Sequence, residues 1–363
     1  MGVKVMKKET MTGRERIKAA VSFSDQDRIP VFPLVHWGTP GLFGISVENY
    51  AKNPEIQAKC LIDACKMFNY DGVNAGVDVI IEAEAHGGVT EFKKDSPPAL
   101  KQNPLGNDKN KLKELKVLDP QTSGRMKVEI EACKIIVSEI GKEKFTHCWI
   151  MGPLNCASQL RGVHDTIMDF ILDPDYLEEL LDFSTDQILA YGIALARTGI
   201  DCIGIGEALA SPNFNSPDHI YKYVWPRLKR LIEGLHEAGV LTILHICGNL
   251  YPLLKLGEKL GKNIFKETGV DILDIDWQVK MEDAINITGI SCRGNLDPAS
   301  VLAMGSKEKV LEESKKIIMS AGYTKGLILG AGCDMSYYTP KENYSAMVQS
   351  VKEFGFFPIK AEK

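Results

Sequence analysis

The sequence lacks the features that mark several large classes of protein. Apolar residues make up 44% of its 363 residues, yet no apolar run reaches the roughly 18 residues that a membrane-spanning helix needs. The formal net charge is -5 and no dense stripe of Lys and Arg is present, which argues against a nucleic-acid surface. The first nine residues contain no apolar core of a secretory signal. We therefore expect a cytoplasmic protein that binds neither a membrane nor a nucleic acid.

Two common motifs are also missing. None of the nine cysteines forms a CxxC pair, and a disulfide framework is typical of small secreted domains. We therefore interpret the thiols as reduced, and most of them as small buried side chains. No GxGxxG sequence follows a predicted strand, so the usual signature of a dinucleotide-binding sheet is absent.

Short apolar segments alternate with amphipathic segments along the chain. Strands that are buried on both faces and separated by helices are typical of a parallel α/β fold. Their number favours a closed (β/α)8 TIM barrel over an open, doubly wound sheet. The predicted strands are residues 29–35, 72–76, 146–151, 202–206, 241–246, 272–275, 290–294 and 326–330.

The intervening segments have the 3.6-residue periodicity of helices. Residues 175–196 give the clearest pattern, with leucines and isoleucines recurring on one face. The last predicted helix spans residues 339–354, with Thr339 as its N-cap and Pro340 at its first helical position.

One connection is longer than a simple crossover requires. Residues 87–144 contain a polar run with prolines, and this run precedes a helix-like segment at 124–140. We predict a single domain that spans residues 1–363, in which 87–144 is an insertion after strand two that covers part of the barrel mouth.

The most specific motif lies at the end of the fifth predicted strand. His245 and Cys247 follow an apolar run and stand two residues apart. Residues i and i+2 of an extended strand point to the same face. An imidazole and a thiolate are both good zinc ligands. Because two ligands do not make a site, a third should come from another strand end.

Two further residues at strand ends could complete such a site. Cys333 follows the last predicted strand in a Gly-Ala-Gly turn, where small residues let the backbone approach closely. Glu207 ends the fourth strand, and chemistry in this fold takes place at the carboxyl ends of the strands. We predict that His245, Cys247 and Cys333 bind Zn²⁺, with Glu207 as a fourth ligand and catalytic group. The alternative for Glu207 is contact with the substrate or with a ligand side chain.

Polar and aromatic side chains are expected around the same mouth. They could form a flat pocket for a ring, or a surface that meets a large planar cofactor. The alternative is packing between loops, and for the histidine among them a place in the core. The predicted substrate-binding residues are His36, Trp37, Asn74, Glu84, Trp277 and Tyr337.

Motifs along nearly the whole chain resemble those of the uroporphyrinogen decarboxylase superfamily. The pairing of His245 and Cys247 with the late Cys333 resembles, within it, the zinc-dependent cobamide methyltransferases. The decarboxylases carry an Arg-rich motif after the first strand that grips carboxylates, whereas residues 36–41 contain no arginine here. The other similar motifs lie at residues 11–16, 27–31, 82–85, 152–153, 210–212, 294–298 and 339–343.

This resemblance implies zinc ligands at His245, Cys247 and Cys333. It also implies methyl transfer between a small molecule and the cobalt of a corrinoid (cobalamin). The chain lacks the Asp-x-His-x-x-Gly cobalt-ligand motif, so the corrinoid is expected on a separate corrinoid-binding partner protein. The sequence leaves the direction of transfer and the oligomeric state open, a homodimer included.

The small substrate has two alternatives. Zinc can activate a thiol acceptor such as coenzyme M, or it can polarise the oxygen of a methyl ether donor. The aromatic mouth favours the methyl ether, and with it the methyltransferase I component of a methoxyaromatic O-demethylase. Coenzyme M methyltransferases tend to have an aspartate at the position of Glu207, which points the same way. A decarboxylase, or a non-catalytic zinc- or corrinoid-binding protein, is less expected.

Overall fold

The structure is a computed structural model that describes residues 8–76 and 78–360. Seven parallel strands form one curled sheet in the order β1-β4-β5-β6-β7-β8-β9, and β2 and β3 form a separate antiparallel hairpin. The strands are β1 (Gly72–Ala75), β2 (Val89–Glu91), β3 (Ala99–Gln102), β4 (Phe145–Met151), β5 (Cys202–Gly206), β6 (Leu241–His245), β7 (Ile272–Ile275), β8 (Ser291–Leu296) and β9 (Leu327–Ala331).

Helices follow the strands and pack against the sheet, which buries most strand residues on both faces. The first eight α-helices are α1 (Gly13–Val21), α2 (Thr39–Leu42), α3 (Val47–Lys52), α4 (Pro54–Phe68), α5 (Ile81–Ala85), α6 (Met126–Ile140), α7 (Pro153–Arg161) and α8 (Val163–Leu172). The others are α9 (Pro174–Ala196), α10 (Pro217–His219), α11 (Trp225–Glu237), α12 (Tyr251–Leu260), α13 (Ile264–Thr268), α14 (Met281–Thr288), α15 (Lys307–Ala321) and α16 (Lys341–Phe354). Short 3-10 turns lie at Lys109–Glu114, Ala208–Ala210 and Gly322–Thr324, and π turns at Ile220–Val224 and Pro298–Ala303.

Within the described residues, no helix has both the length and the apolar character needed to cross a membrane. The N-terminal segment that was expected to lack a secretory signal falls largely in residues 1–7, which lie outside the described residues.

The predicted TIM-barrel architecture is confirmed, but its first strand is irregular. Across residues 29–35 the described ladder consists of one bridge, in which Val31 pairs in parallel with Leu329 of β9. Pro30 and Pro33 explain the irregularity, because neither has a backbone N–H to donate to a neighbouring strand. The prediction of a regular strand over these residues is therefore wrong.

This irregular segment nevertheless joins the two ends of the curled sheet. On the β1 side, the backbone N–H of Asp71 donates to the carbonyl of Val31 over 2.9 Å. The carboxylate of Asp71 accepts the N–H of Val31 at 2.7 Å and two buried guanidinium groups, from Arg16 at 2.5 Å and Arg28 at 2.7 Å. A side-chain carboxylate thus supplies the hydrogen bonds that the proline-containing backbone cannot, and it closes the barrel.

The other predicted elements agree closely with the structure. The remaining seven predicted strands are all present, with bounds that shift by no more than two residues. The last helix is an exception at its start, because it begins at Lys341 and its N-cap is Pro340 in an extended conformation. Thr339 instead donates its backbone N–H to Ser336 in the preceding turn. The prediction that Thr339 caps this helix is wrong.

The long connection after β1 divides into two parts. Its last part is α6, which packs against α4 within the ring of helices around the sheet. The earlier part contains the β2–β3 hairpin, whose loop contacts two segments of the barrel: Lys94 accepts the N–H of Val47 at 3.3 Å, and Asp95 accepts the hydroxyl of Tyr338. Tyr338 follows β9, so the hairpin loop contacts the carboxyl side of the barrel, whereas α6 belongs to the ring of helices. An insertion over 87–144 that covers the mouth stays a prediction.

The closure at Asp71 can be tested by substitution. Asp71→Asn should lower the free energy of unfolding by about 3 kcal/mol, because it removes the buried anion that Arg16 and Arg28 share. Urea unfolding followed by circular dichroism would measure the change. Asp63→Asn is the matched control, because it breaks only an exposed pair with Lys59 and should cost less than about 1 kcal/mol. Equal effects of the two substitutions would contradict the proposed role of Asp71.

Candidate metal centre

Three side chains from two strand ends converge at the carboxyl edge of the sheet. His245 is the last residue of β6, Cys247 follows two residues later, and Cys333 lies two residues after β9. The Nε2 atom of His245 is 3.2 Å from the sulfur of Cys247 and 3.7 Å from that of Cys333, and the two sulfurs are 4.0 Å apart. Among the described residues, these form the only group of three or more His, Cys, Asp and Glu side chains placed to hold a metal ion.

The spacing of these atoms matches a tetrahedral metal shell. With zinc–sulfur bonds of about 2.3 Å and zinc–nitrogen bonds of about 2.0 Å, neighbouring ligand atoms lie about 3.5–3.8 Å apart. The three observed distances of 3.2, 3.7 and 4.0 Å scatter around that range. One imidazole and two thiols are a donor set that favours zinc over magnesium or calcium. The residues present therefore fit the predicted zinc ion.

The pKa values of His245, Cys247 and Cys333 are all shifted by their surroundings. Burial would lower the pKa of His245, but Asp274 and Cys333 together raise it to about 10. The hydrogen bond from Cys333 lowers the pKa of Cys247, whereas donation of that bond and burial raise the pKa of Cys333. The thiolate form of Cys247 is thus favoured relative to a free thiol, next to an imidazole whose raised pKa favours its protonated form. A divalent cation would displace these protons, as metal binding to such ligands requires.

A buried ion pair lies directly behind the histidine. The Nδ1 atom of His245 is 3.2 Å from a carboxylate oxygen of Asp274, and the guanidinium of Arg293 donates two hydrogen bonds of 2.7 Å to the same carboxylate. Burial would raise the pKa of Asp274, but Arg293 and His245 lower it to about 2. The carboxylate is therefore ionised.

Contacts with Asp276 and Trp277 hold the loops that carry the two cysteines. Asp276 accepts the N–H of Gly248, next to Cys247, at 2.7 Å. Gly332, next to Cys333, lies so close to Asp276 and Trp277 that an added Cβ would stand 2.9 Å from the Trp277 nitrogen. A larger residue at this position would push the Cys333 loop away from β7.

The structure does not bring Glu207 into this group. Its buried carboxyl lies at the N-terminus of α7, where it accepts the backbone N–H groups of Leu154 at 3.1 Å and Asn155 at 2.9 Å. Burial raises the pKa of Glu207 to about 8 against the opposing effect of these two bonds. Gly152 makes room for this arrangement, because a Cβ there would clash with the carboxyl.

Three of the predicted substrate-binding residues are engaged by the protein. Asn74 uses both ends of its amide, because it accepts from Arg293 at 3.1 Å and donates to the Pro33 carbonyl at 2.5 Å. His36 and Trp37 are 0% and 5% exposed. Burial lowers the pKa of His36 to about 3, so its imidazole is neutral. These three side chains shape the walls of the barrel.

The other three lie in outer positions. Glu84 pairs with Arg125, which donates to both of its carboxylate oxygens at 2.9 and 2.6 Å. Tyr337 directs its hydroxyl to the carbonyl of Ile45 at 3.5 Å. Trp277 is 52% exposed and follows β7, close to the loop that carries Cys333. Of the six residues, Trp277 is the one whose ring is most accessible beside the metal centre.

Sequence reasoning missed three acidic or basic residues around the centre. Asp274 and Arg293 lie within apolar strands, and a charge in such a strand must find a partner because isolated buried charges are costly. That rule could have identified the pair. Asp334 adjoins Cys333 and accepts the backbone N–H groups of His36 at 2.9 Å and Trp37 at 3.3 Å. Burial raises the pKa of Asp334 to about 6.

The chain is similar over almost its whole length to curated methyltransferases. It is 28% identical to "Methylcobamide:CoM methyltransferase MtbA" of Methanosarcina mazei, over 95% of this chain and 99% of the relative. It is 25% identical to "Methylcobamide:CoM methyltransferase MtaA" of Methanosarcina barkeri, over 94% of this chain and 98% of the relative. A solved structure, "methyltransferase from Methanosarcina mazei", superposes with a TM-score of 0.85 at 26% identity, covering 95% of this chain and 99% of that one.

The resemblance inferred from the motifs is confirmed at the level of the family. The family model described as "Uroporphyrinogen decarboxylase (URO-D)" matches residues 12–354, which include every ligand of the candidate centre. The chain therefore belongs to the uroporphyrinogen decarboxylase family.

Proposed function

We propose that this protein is a zinc-dependent methyltransferase that moves a methyl group from the cobalt of a corrinoid to a small thiol. The observation that carries the proposal is the cluster of one imidazole and two thiols at the carboxyl edge of the barrel. The names of its relatives, methylcobamide:CoM methyltransferases, support the same chemistry. The corrinoid would arrive on a separate corrinoid-binding protein. A cytoplasmic location and a homodimer stay predictions.

The ligand set suits the activation of a thiol. Zinc held by His245, Cys247 and Cys333 would supply a Lewis acid that favours the thiolate form of the acceptor. Two thiolates and one neutral imidazole would neutralise a divalent cation and would leave it able to take a substrate sulfur as a further ligand. Cys247 and Cys333 are only partly buried, so a small thiol could reach the cluster.

A thiol acceptor now has more support than the methoxyaromatic donor favoured by the sequence. The preference for a methyl ether rested on an aromatic mouth, but Trp37 is buried while Trp277 is 52% exposed, so the aromatic residues do not by themselves favour a ring-shaped substrate. The relatives named above carry coenzyme M in their names. We therefore rank the thiol first and the O-demethylase component second.

For Glu207 we propose an exchangeable role. In the described conformation its carboxyl lies apart from the three ligands and bonds to the start of α7. It adjoins the centre through the backbone, because its N–H donates to the carbonyl of His245 at 2.8 Å. We propose that the carboxyl leaves α7 to occupy the fourth position when no substrate is bound, and returns when a thiol takes its place.

Removal of one thiol should abolish the centre. Cys333→Ala leaves only His245 and Cys247 of the cluster, and the exchangeable carboxyl of Glu207 cannot replace a permanent thiolate ligand, so the protein should lose its zinc and its ability to demethylate methylcobalamin in the presence of a thiol. Metal analysis and the absorbance of cob(I)alamin measure the two losses. Cys60→Ala is the matched control, since it removes a buried thiol of α4 outside the cluster and should keep both properties. Full activity and zinc content in Cys333→Ala would refute the proposed function.

The exchangeable role of Glu207 predicts a separation of metal binding from turnover. Glu207→Gln should retain zinc, because three ligands remain, but should lower kcat by about tenfold or more. Gly152→Ala keeps the carboxyl and displaces it from α7 by the steric clash, so it should alter kcat without removing any acid. Loss of zinc in Glu207→Gln would instead make Glu207 a permanent ligand. Unchanged kcat in both variants would exclude a role in turnover.

A substrate panel separates the two candidate functions. We expect methylcobalamin to be demethylated in the presence of small thiols, with the methyl thioether as product. We expect no methylation of cob(I)alamin by methoxybenzoates. Spectroscopic detection of the corrinoid and mass spectrometry of the small product measure the two reactions. Methylation by methoxybenzoates together with inactivity toward thiols would reverse the ranking.

A further inference from the structure

We propose that Asp274 and Arg293 are positioning residues that fix the imidazole of His245 so that its Nε2 atom binds the metal. This inference rests on the proposed function, because it assigns the pair to the same zinc site. Asp274 and Arg293 would contact neither the substrate nor the metal, and they would act through the ligand His245.

The three side chains form one row inside the barrel. β6, β7 and β8 are adjacent parallel strands, and their register places His245 opposite Asp274 and Asp274 opposite Arg293. Side chains at matched positions of neighbouring strands point to the same face of a sheet. The row therefore follows from the register of the three strands and does not depend on a flexible loop.

Hydrogen bonding along this row selects one tautomer of the histidine. The Oδ2 atom of Asp274 is 3.2 Å from Nδ1 of His245, and a carboxylate can only accept at that contact. A proton on Nδ1 leaves the lone pair of Nε2 facing the two cysteine sulfurs, 3.2 and 3.7 Å away. Histidine ligands of metals commonly use a carboxylate in this way, and loss of such a partner weakens metal binding.

Arg293 holds the carboxylate in place. Its guanidinium donates through Nε and Nη2 to the two oxygens of Asp274, both at 2.7 Å. Its third contact, 3.1 Å to Asn74, anchors the group on the opposite side. The guanidinium also lies 4.5 Å from the ring centre of Phe32 and 5.6 Å from that of Trp149. Two hydrogen bonds from one guanidinium, which also contacts two aromatic rings, leave the carboxylate little freedom to rotate.

The residue directly before β7 offers a natural contrast. Asp271, three residues before Asp274, pairs with His236 at 2.9 Å, but that histidine is partly exposed and belongs to no metal-ligand cluster among the residues that the structure describes. Asp271 and Asp274 thus each pair with a histidine, and only Asp274 pairs with a candidate metal ligand. Replacement of either aspartate by asparagine removes the carboxylate of one His–Asp pair and leaves the other pair unchanged.

The experiment compares metal binding by Asp274→Asn and Asp271→Asn. Zinc affinity is measured by competition with a chromophoric chelator, and the ligand field by the visible absorption of the cobalt(II)-loaded protein. We expect Asp274→Asn to weaken zinc binding by about 10- to 100-fold and to shift the cobalt bands, because an amide can present an N–H to Nδ1 and permit the other tautomer. Asp271→Asn should change neither measurement.

Two further measurements guard against a folding defect. Arg293→Lys keeps the charge but loses the fork, so a folded Arg293→Lys protein should also bind zinc more weakly. Nitrogen NMR of the zinc-loaded wild-type protein should show His245 protonated at Nδ1 and metal-bound at Nε2. Wild-type zinc affinity in a folded Asp274→Asn or Arg293→Lys protein would overturn the inference, and so would metal bound at Nδ1. A failure of the proposed function would look different, since the wild-type protein would bind zinc yet transfer no methyl group to any thiol.

Discussion

The buried carboxylate of Asp71 is the constraint on which the rest of the barrel depends. The irregular segment around Val31 has few backbone donors, and Asp71 links it to β1 by hydrogen bonds from both its backbone and its side chain. The candidate metal ligands lie at the ends of β6 and β9, which are separated by two other strands of the sheet. Only a strongly curled, closed sheet brings the sulfurs of Cys247 and Cys333, which follow these strands, within 4.0 Å of each other. A contact at the amino edge of the barrel therefore determines whether a site forms at its opposite edge.

The inside of this barrel departs from the usual apolar filling. Layers of branched apolar side chains normally occupy the centre of a TIM barrel, whereas here Asp274, Arg293 and Asn74 lie there in contact with one another. Burying an ion pair costs desolvation energy that its mutual attraction often only offsets. A pair of this kind adds little net stability, so its place behind a metal ligand is best explained by the geometry that it imposes on His245.

The architecture and the cluster of His245, Cys247 and Cys333 could be predicted from the sequence because both depend on local patterns. Buried strands appear as apolar runs, and His245 and Cys247 share a face through a spacing of two residues. Cys333 required only the rule that strand ends converge. The irregularity of the first strand was not predicted, because the apolar pattern of residues 29–35 indicates an ordinary strand. Pro30 and Pro33 nevertheless exclude a regular ladder of backbone hydrogen bonds.

The pairing of side chains across the barrel could not be predicted in the same way. Asn74 was expected to bind substrate, but its amide joins Arg293, which lies 219 residues away along the chain. Nothing in the local sequence of either residue specifies the other. Glu207 was likewise placed correctly at a strand end, yet the direction of its side chain depends on α7 and on the missing Cβ of Gly152.

Glu207 also shows how the barrel could alternate between two states without a large movement. Its carboxyl bonds to two N–H groups at the start of α7, and each hydrogen bond contributes about 0.5–1.5 kcal/mol net, while burial raises its pKa to about 8 and so opposes the charged form. These energies are small enough for a metal ion to compete with them. Since the backbone of Glu207 is tied to His245 by a 2.8 Å hydrogen bond, the proposed exchange would move the side chain while the strand stays fixed. Under the proposed function, movement of this one carboxyl would be enough to control access of a thiol to the candidate metal centre.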